Sequence, residues 1–326
     1  MTAIDTFATA PVALVALDDP TVTTAPLDRL SIGFATRPLD ERGRGLARNL
    51  DLTLVPMDLA TAPQFVGVAD SVAESLELRA TATANSRASA VLSQVLRAAL
   101  PDTATALQLE SFAYSTLLGG TEFAHWLAER GRRETPAPPA HPVLVDRRGD
   151  TLHITLNDPN RRNAYSRYLR DALVEALTLP GVDHSISRIV LDGAGPLFCA
   201  GGDLDEFGTT PDPVTAHFVR TQAGAALLLH QLADRTEFRV HGSCIGAGIE
   251  LPAFASRIVA RPGTTFRLPE VGMGLIPGAG GTVSIARRVG RWRTFYLALT
   301  GKALDASTAM SWGLVDSIQS TFPDWY

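Results

Sequence analysis

With only two cysteines in 326 residues, Cys199 and Cys244, the chain has too few for a disulfide framework, and their separation does not suit a metal-binding pair. Long apolar runs are also missing, so no segment is expected to span a bilayer. Positive charge is not in excess. Twenty-nine Lys+Arg stand against 34 Asp+Glu, a net charge of −5, which argues against nucleic acid as a partner. The first twenty residues contain no Lys or Arg but do contain Asp5, Asp18 and Asp19, so they do not read as a signal peptide. The expectation is a cytoplasmic protein without membrane contact. What is present is 45% hydrophobic and 19% charged residues, a balance that suits a well-cored globular chain.

Two textures divide the sequence. Residues 1–65, rich in Ala, Thr, Pro and Asp without a sustained period, are expected to be poorly defined. From about 66 to 133 apolar residues recur at helical spacing: Val68, Val72 and Leu76, then Val91, Val95 and Ala99 beside Leu92 and Leu96. Ser86 is the expected N-cap of the second helix and Pro101 its stop. Further helices are expected over about 104–116, ending at Gly119-Gly120, and over about 122–130. The stretch 134–142 holds four prolines and reads as a semi-rigid linker. Residues 143–326 then alternate strands and helices. A hairpin is expected at 143–156, strands at 189–191, 238–240 and 258–260, and helices at 163–177 and 214–232. This is the pattern of an α/β domain.

Three glycine-bearing loops in this second part are the places where a ligand could approach the backbone. They are Phe198-Cys-Ala-Gly-Gly-Asp203, His241-Gly-Ser-Cys-Ile-Gly-Ala-Gly-Ile-Glu250, and the run from Leu268 to Gly281. Neither the phosphate-loop nor the dinucleotide glycine spacing is met. Together with Arg162-Asn-Ala164 and Ala309-Met-Ser-Trp-Gly-Leu-Val-Asp316, these loops make residues 143–318 resemble the crotonase (enoyl-CoA hydratase/isomerase) superfamily.

The resemblance implies an α/β, crotonase-like ββα spiral core behind a mainly helical N-terminal region. It also implies an oxyanion hole for a thioester carbonyl, built from the backbone N–H groups of Gly202 and Ala247. Ala247, at a helix start, has the unpaired N–H and positive dipole end that such a role needs. Glu250 and Glu270 fall on the two carboxylate positions of the hydratase subgroup. There Glu250 would hold and activate water and Glu270 would protonate the alpha carbon, the pair titrating as a unit. Contacts to coenzyme A are implied for Arg161, Arg162, Ala200, Gly202, Asp203 and Leu204. His241 reads as a satisfied structural histidine, the two cysteines as small packing residues, and Asp203 with Glu206 as too few for a metal. No cofactor is expected beyond coenzyme A carried by the substrate, and the family's habit implies a homotrimer or hexamer.

One departure stands out. The usual C-terminal helices of the family are not found after Asp316, while residues 104–133 resemble them, with Trp126 and Arg130 on the aromatic and basic positions. The expectation is a circular permutation in which residues 66–133 supply those helices from the N-terminal side. The leading activity is syn hydration of a 2-enoyl-CoA or its reversal. The alternatives are a double-bond isomerase, a specialised secondary-metabolism enzyme of the cofactor-free dioxygenase type, and a silent scaffold.

Overall fold

The computed structural model describes residues 11–26, 28–131, 133–134 and 137–322; expectations for the other positions lie outside the described residues. The described residues open on strands β1 (Val12–Ala16) and β2 (Leu30–Phe34), helix α1 (Glu41–Asn49), and strands β3 (Leu52–Pro56) and β4 (Phe65–Val68). They form a four-stranded, all-parallel sheet in the order β1-β2-β3-β4. This corrects the expectation for residues 1–65, and it also makes residues 65–68 a strand rather than the start of a helix. The reason is physical. Central parallel strands covered on both faces read as short unbroken apolar runs, and β2 and β3 bury four of their five residues each. Runs of that length between Pro- and Thr-rich loops carry no period to detect.

Four helices follow: α2 (Ser71–Ala84), α3 (Ser86–Ala98), α4 (Thr103–Leu118) and α5 (Thr121–Arg130). The starts of α2 and α4 are set locally by aspartates. Asp70 accepts from the N–H groups of Val72 and Ala73, and Asp102 from Thr105. Helix α3 differs from expectation: Ser86 is its first residue, no side chain from Asn85 caps it, and the carboxylate of Glu122 accepts from the N–H groups of Arg87 and Ala88. A cap borrowed from α5 ties these helices together.

The second part builds β5 (Val143–Arg148) and β6 (Thr151–Leu156), the expected hairpin, then α6 (Arg167–Val182), β7 (Arg188–Gly193), α7 (Pro213–Ala223), α8 (Ala226–Gln231), β8 (Thr236–Val240), β9 (Ser243–Ile245), α9 (Ala247–Glu250) and β10 (Arg257–Ala260). It ends with β11 (Thr265–Arg267), α10 (Gly281–Val289), α11 (Arg291–Thr300), β12 (Leu304–Asp305), α12 (Ala306–Trp312) and β13 (Ser317–Ile318). A six-stranded sheet runs β13-β10-β8-β7-β6-β5 and a three-stranded one β12-β11-β9. The expected helix at 214–232 is two helices, broken at Gly224, whose backbone is extended (φ −76°, ψ 145°) and where a Cβ would meet the carbonyl oxygen of Arg220 at 2.4 Å. No helix among the described residues is long and apolar enough to cross a membrane.

One apolar core runs from the N-terminal sheet through the helices into the six-stranded sheet. Polar clamps fix the N-terminal sheet to the rest. Buried Asp51 accepts from Ser31 N, Ser93 Oγ, and Arg97 Nε and Nη2, joining sheet to α3. Trp292 Nε1 of α11 donates to Leu50 O. Replacing Asp51 with Ala would strand the Arg97 guanidinium, and the expected loss is about 3 kcal/mol of stability, read from the denaturant midpoint. A loss below about 0.5 kcal/mol would show that apolar packing alone holds this sheet.

Candidate active site

Two loops lie backbone to backbone at the centre of the second part. Ile245 N donates to Cys199 O at 3.0 Å and Cys199 N to Ser243 O at 3.4 Å. Buried Asn163 fixes the approach to the first loop, its amide donating to Ala194 O, Leu197 O and Phe198 O. Gly201, at φ +89°, has no room for a side chain: a Cβ would lie 2.8 Å from Ile245 O. The next residue in each loop is thereby turned toward one cavity of about 520 Å³, lined by both Gly202 and Ala247. Neither N–H has an acceptor among the described residues. Ala247 is also the first residue of α9, so its N–H is one that the helix cannot satisfy itself.

Glu250 and Glu270 line the same cavity and are 2% and 9% exposed. Gly246 (φ +50°) shows how close they come. A Cβ there would lie 2.6 Å from Glu270 Oε1 and 3.7 Å from Glu250 Oε1, so both carboxylates flank one point that only glycine leaves open. Glu250 Oε2 accepts from Ala279 N (2.8 Å) and Gly281 N (2.9 Å). Glu270 Oε2 is buried with no partner among the described residues. Burial pushes the Glu270 carboxyl up to about 8. Burial raises Glu250 well above its ordinary range too, reinforced by the charges of Glu270 and Glu110.

Glu110 of α4 was not singled out from the sequence. It is buried, Oε1 accepting from Gly280 N (2.7 Å) and Oε2 from Thr282 N (3.0 Å) and Thr282 Oγ1 (2.6 Å). The turn 279–282 thus divides its four N–H groups between two carboxylates: 279 and 281 to Glu250, 280 and 282 to Glu110. Tyr114, one turn further along α4, lies against Gly278, and Arg220 of α7 stacks on the Tyr114 ring with 4.4 Å to its centroid. No local signal marks these three, whose partners are about a hundred residues or more away in the chain.

The positions expected to meet coenzyme A separate. Gly202 and Asp203 line the cavity, whereas Ala200, Leu204, Arg161 and Arg162 do not. Arg161 was expected to face a phosphate, but its guanidinium closes on Asp203 (2.5 Å) and Asp205 (2.9 Å), with Arg130 joining at Asp205. Arg162 is exposed, and its carbonyl accepts from Ala200 N. His241 Nε2 meets Gly195 O, and both cysteines are free and buried, as their sequence reading has it. No cluster among the described residues could hold a metal ion. Replacing Glu110 with Ala leaves three buried donors without an acceptor, at about 1–3 kcal/mol apiece. Thermal unfolding should therefore show a drop of several degrees, partly recovered in Glu110→Gln; an unchanged midpoint would mean that the turn holds without it.

The enoyl-CoA hydratase/isomerase family profile matches residues 147–322, more than half of the chain. The 2,3-dehydroadipyl-CoA hydratase of Escherichia coli (strain K12) is 35% identical over 177 residues, covering 54% of this chain and 68% of that protein. An enoyl-CoA hydratase subunit from Geobacillus kaustophilus HTA426 superposes with a TM-score of 0.51 at 29% identity, over 54% of this chain and 68% of the other. An enoyl-CoA hydratase candidate from Thermobifida fusca YX, solved in complex with CoA, gives a TM-score of 0.50 at 25% identity, over 57% and 77%. The chain thus spans about two thirds to three quarters of these relatives' lengths. With glycine loops, paired carboxylates and sheet order all inside the matched segment, the chain belongs to the enoyl-CoA hydratase/isomerase family.

Proposed function

We propose that this protein adds water across the double bond of a 2-enoyl-CoA thioester, or runs the reverse dehydration. The observation that carries the reading is the pair Glu250 and Glu270 flanking one point beside two unengaged backbone N–H groups. The N–H groups of Gly202 and Ala247 donate to the thioester carbonyl oxygen as it gains negative charge. Glu250, held through Oε2, orients a water with its other oxygen, and Glu270 passes a proton to the alpha carbon. Coenzyme A enters as part of the substrate, and no metal or redox group takes part in this scheme.

Conservative variants test it. Glu250→Gln and Glu270→Gln should each lower hydration of a short panel of enoyl-CoAs by about 10²–10⁴, followed as loss of enoyl-thioester absorbance, while acyl-CoA still binds. Product carrying a shifted double bond, with only one variant silenced, would favour the isomerase instead. A wild type that binds no thioester would end the enzyme reading.

The acids also set a pH dependence. Hydration needs a proton on the pair, so turnover should fall above about pH 8, where Glu270 loses it. For stability the sign is fixed by linkage. Glu270 is raised from 4.5 to about 8, so between those values the folded chain keeps a proton that the unfolded chain releases. Stability therefore falls as pH rises through this window and levels off above it. In Glu270→Gln the slope should flatten; an unaltered slope in unfolding series from pH 5 to 9 would assign it to other groups.

We read residues 66–133 as the family's C-terminal helices placed first. Support comes from α4, which walls the cavity with Glu110, Ser111 and Tyr114, and from α5, whose Trp126 packs on Phe207 and whose Arg130 pairs with Asp205. A chain re-joined through a flexible linker with residues 143–322 ahead of 11–133 should fold and keep Glu250-dependent turnover. An unfolded product would count against permutation.

A further inference from the structure

One wall of the cavity holds a cation that the hydration scheme does not use. Arg220 lies near the end of α7 and lines the cavity, half-buried. Its Nε donates to Ser111 Oγ (3.2 Å), its Nη2 to Ser111 O (3.2 Å) and to Ser115 Oγ, and its plane covers Tyr114. Nη1 has no acceptor among the described residues, and no carboxylate there forms an ion pair with Arg220. Arg130, Arg161 and Arg170, all in the same part of the molecule, each have one. The obvious internal counter-ion is Glu110, but its two oxygens are taken by Gly280 N, Thr282 N and Thr282 Oγ1.

A guanidinium held by neutral groups through Nε and Nη2, in a residue that lines the cavity, keeps the two N–H donors of Nη1 for an anionic acceptor such as a carboxylate. Burial holds its pKa below the usual arginine range, so its charge is not fully compensated. Its position says which part of a ligand it meets. The Tyr114 ring under Arg220 abuts Gly278, whose neighbour Ala279 holds Glu250. Arg220 is therefore one aromatic ring beyond the carboxylate pair, where the far end of a short acyl chain would lie.

We propose that the cavity selects 2-enoyl thioesters whose short acyl chain ends in a carboxylate, with Arg220 pairing that carboxylate and Ser111, Ser115 and Tyr114 holding the guanidinium in place. The proposal rests on the thioester reading of the site. Without the guanidinium, a carboxylate entering this low-dielectric cavity would lose its hydration with no charged partner in return. A methyl-ended chain, conversely, would dehydrate the guanidinium without giving it a partner, so one residue supplies both attraction and rejection.

The test compares chains that differ only at their last carbon. Calorimetry gives Kd for hexanoyl-CoA, adipoyl-CoA and free CoA, and kinetics gives kcat/KM for hex-2-enoyl-CoA and hex-2-enedioyl-CoA. Wild type, Arg220→Leu and Arg220→Lys are each measured. Wild type should favour the carboxylate-ended member by at least about tenfold, Arg220→Leu should lose that preference, and Arg220→Lys should keep part of it. No preference in wild type overturns the proposal. So does an equal loss for all three binding ligands in Arg220→Leu, which would put the contact on the coenzyme. Should the Leu variant not fold, the wild-type preference and the Lys variant decide. Because binding needs no turnover, an Arg220-dependent preference for adipoyl-CoA without any hydration would uphold this proposal and sink only the hydratase.

Discussion

The site depends on the four consecutive N–H groups of the turn 279–282. Two hold Glu250 from the second part of the chain, and two hold Glu110 from α4, about 170 residues earlier. Neither carboxylate could be buried without those donors, because an unpaired anion in the interior costs several kcal/mol. Equally, the turn itself would bury unpaired donors without both carboxylates. Each partner makes the other's burial tolerable. The cavity is therefore a joint product of the two parts of the chain, even though the family match covers only the second.

Burial of acids at this density controls their charge. Glu110, Glu250 and Glu270 are all raised by desolvation, Glu110 to about 7 and Glu270 to about 8. With its value at about 8, Glu270 retains a proton near neutrality, which is the condition for it to act as an acid. Glu270 Oε2, buried and unpartnered, is the atom with most to gain from holding a proton or a ligand. Arg220 sits next to this group without closing on any of its members. Because Glu110 spends both oxygens on the turn, the guanidinium is left available.

How much of this could be read from the sequence follows from how far apart the interacting residues lie. Gly246, Ala247 and Glu250 form one contiguous strand-turn-helix, so they stay together as a motif that the family resemblance can mark. Glu270 precedes a glycine run that forms the holding turn, and it is legible for the same reason. Glu110 looks like any acid on a helix, since its acceptor role exists only once α4 meets the turn. The pairing of Arg161 with Asp203 and Asp205 carries no local signal, because they become adjacent to it only through the bridge between Tyr165 and Gly202. The N-terminal sheet was invisible because its strands are four or five residues long and are covered by α2 and α11, so no alternation survives to mark a buried face.

The helical hairpin α4–α5 supports both carboxylates by different means. Helix α4 holds the Glu250 turn through hydrogen bonds to Glu110. Helix α5 presses on the other turn directly: a Cβ at Gly274, which closes the turn beginning at Glu270, would lie 2.5 Å from Phe123 N. Glu122, beside Phe123, caps α3, and α3 is clamped to the N-terminal sheet by Arg97 and Asp51. A continuous mechanical path therefore runs from the first sheet to the Glu270 turn. Close-packed contacts of this kind transmit strain rather than absorb it. Loosening the path would therefore shift the Glu270 turn relative to Glu250. On that argument the N-terminal part is neither an appendage nor a lid. It is the rigid half of the frame against which two buried acids are held at one reacting position.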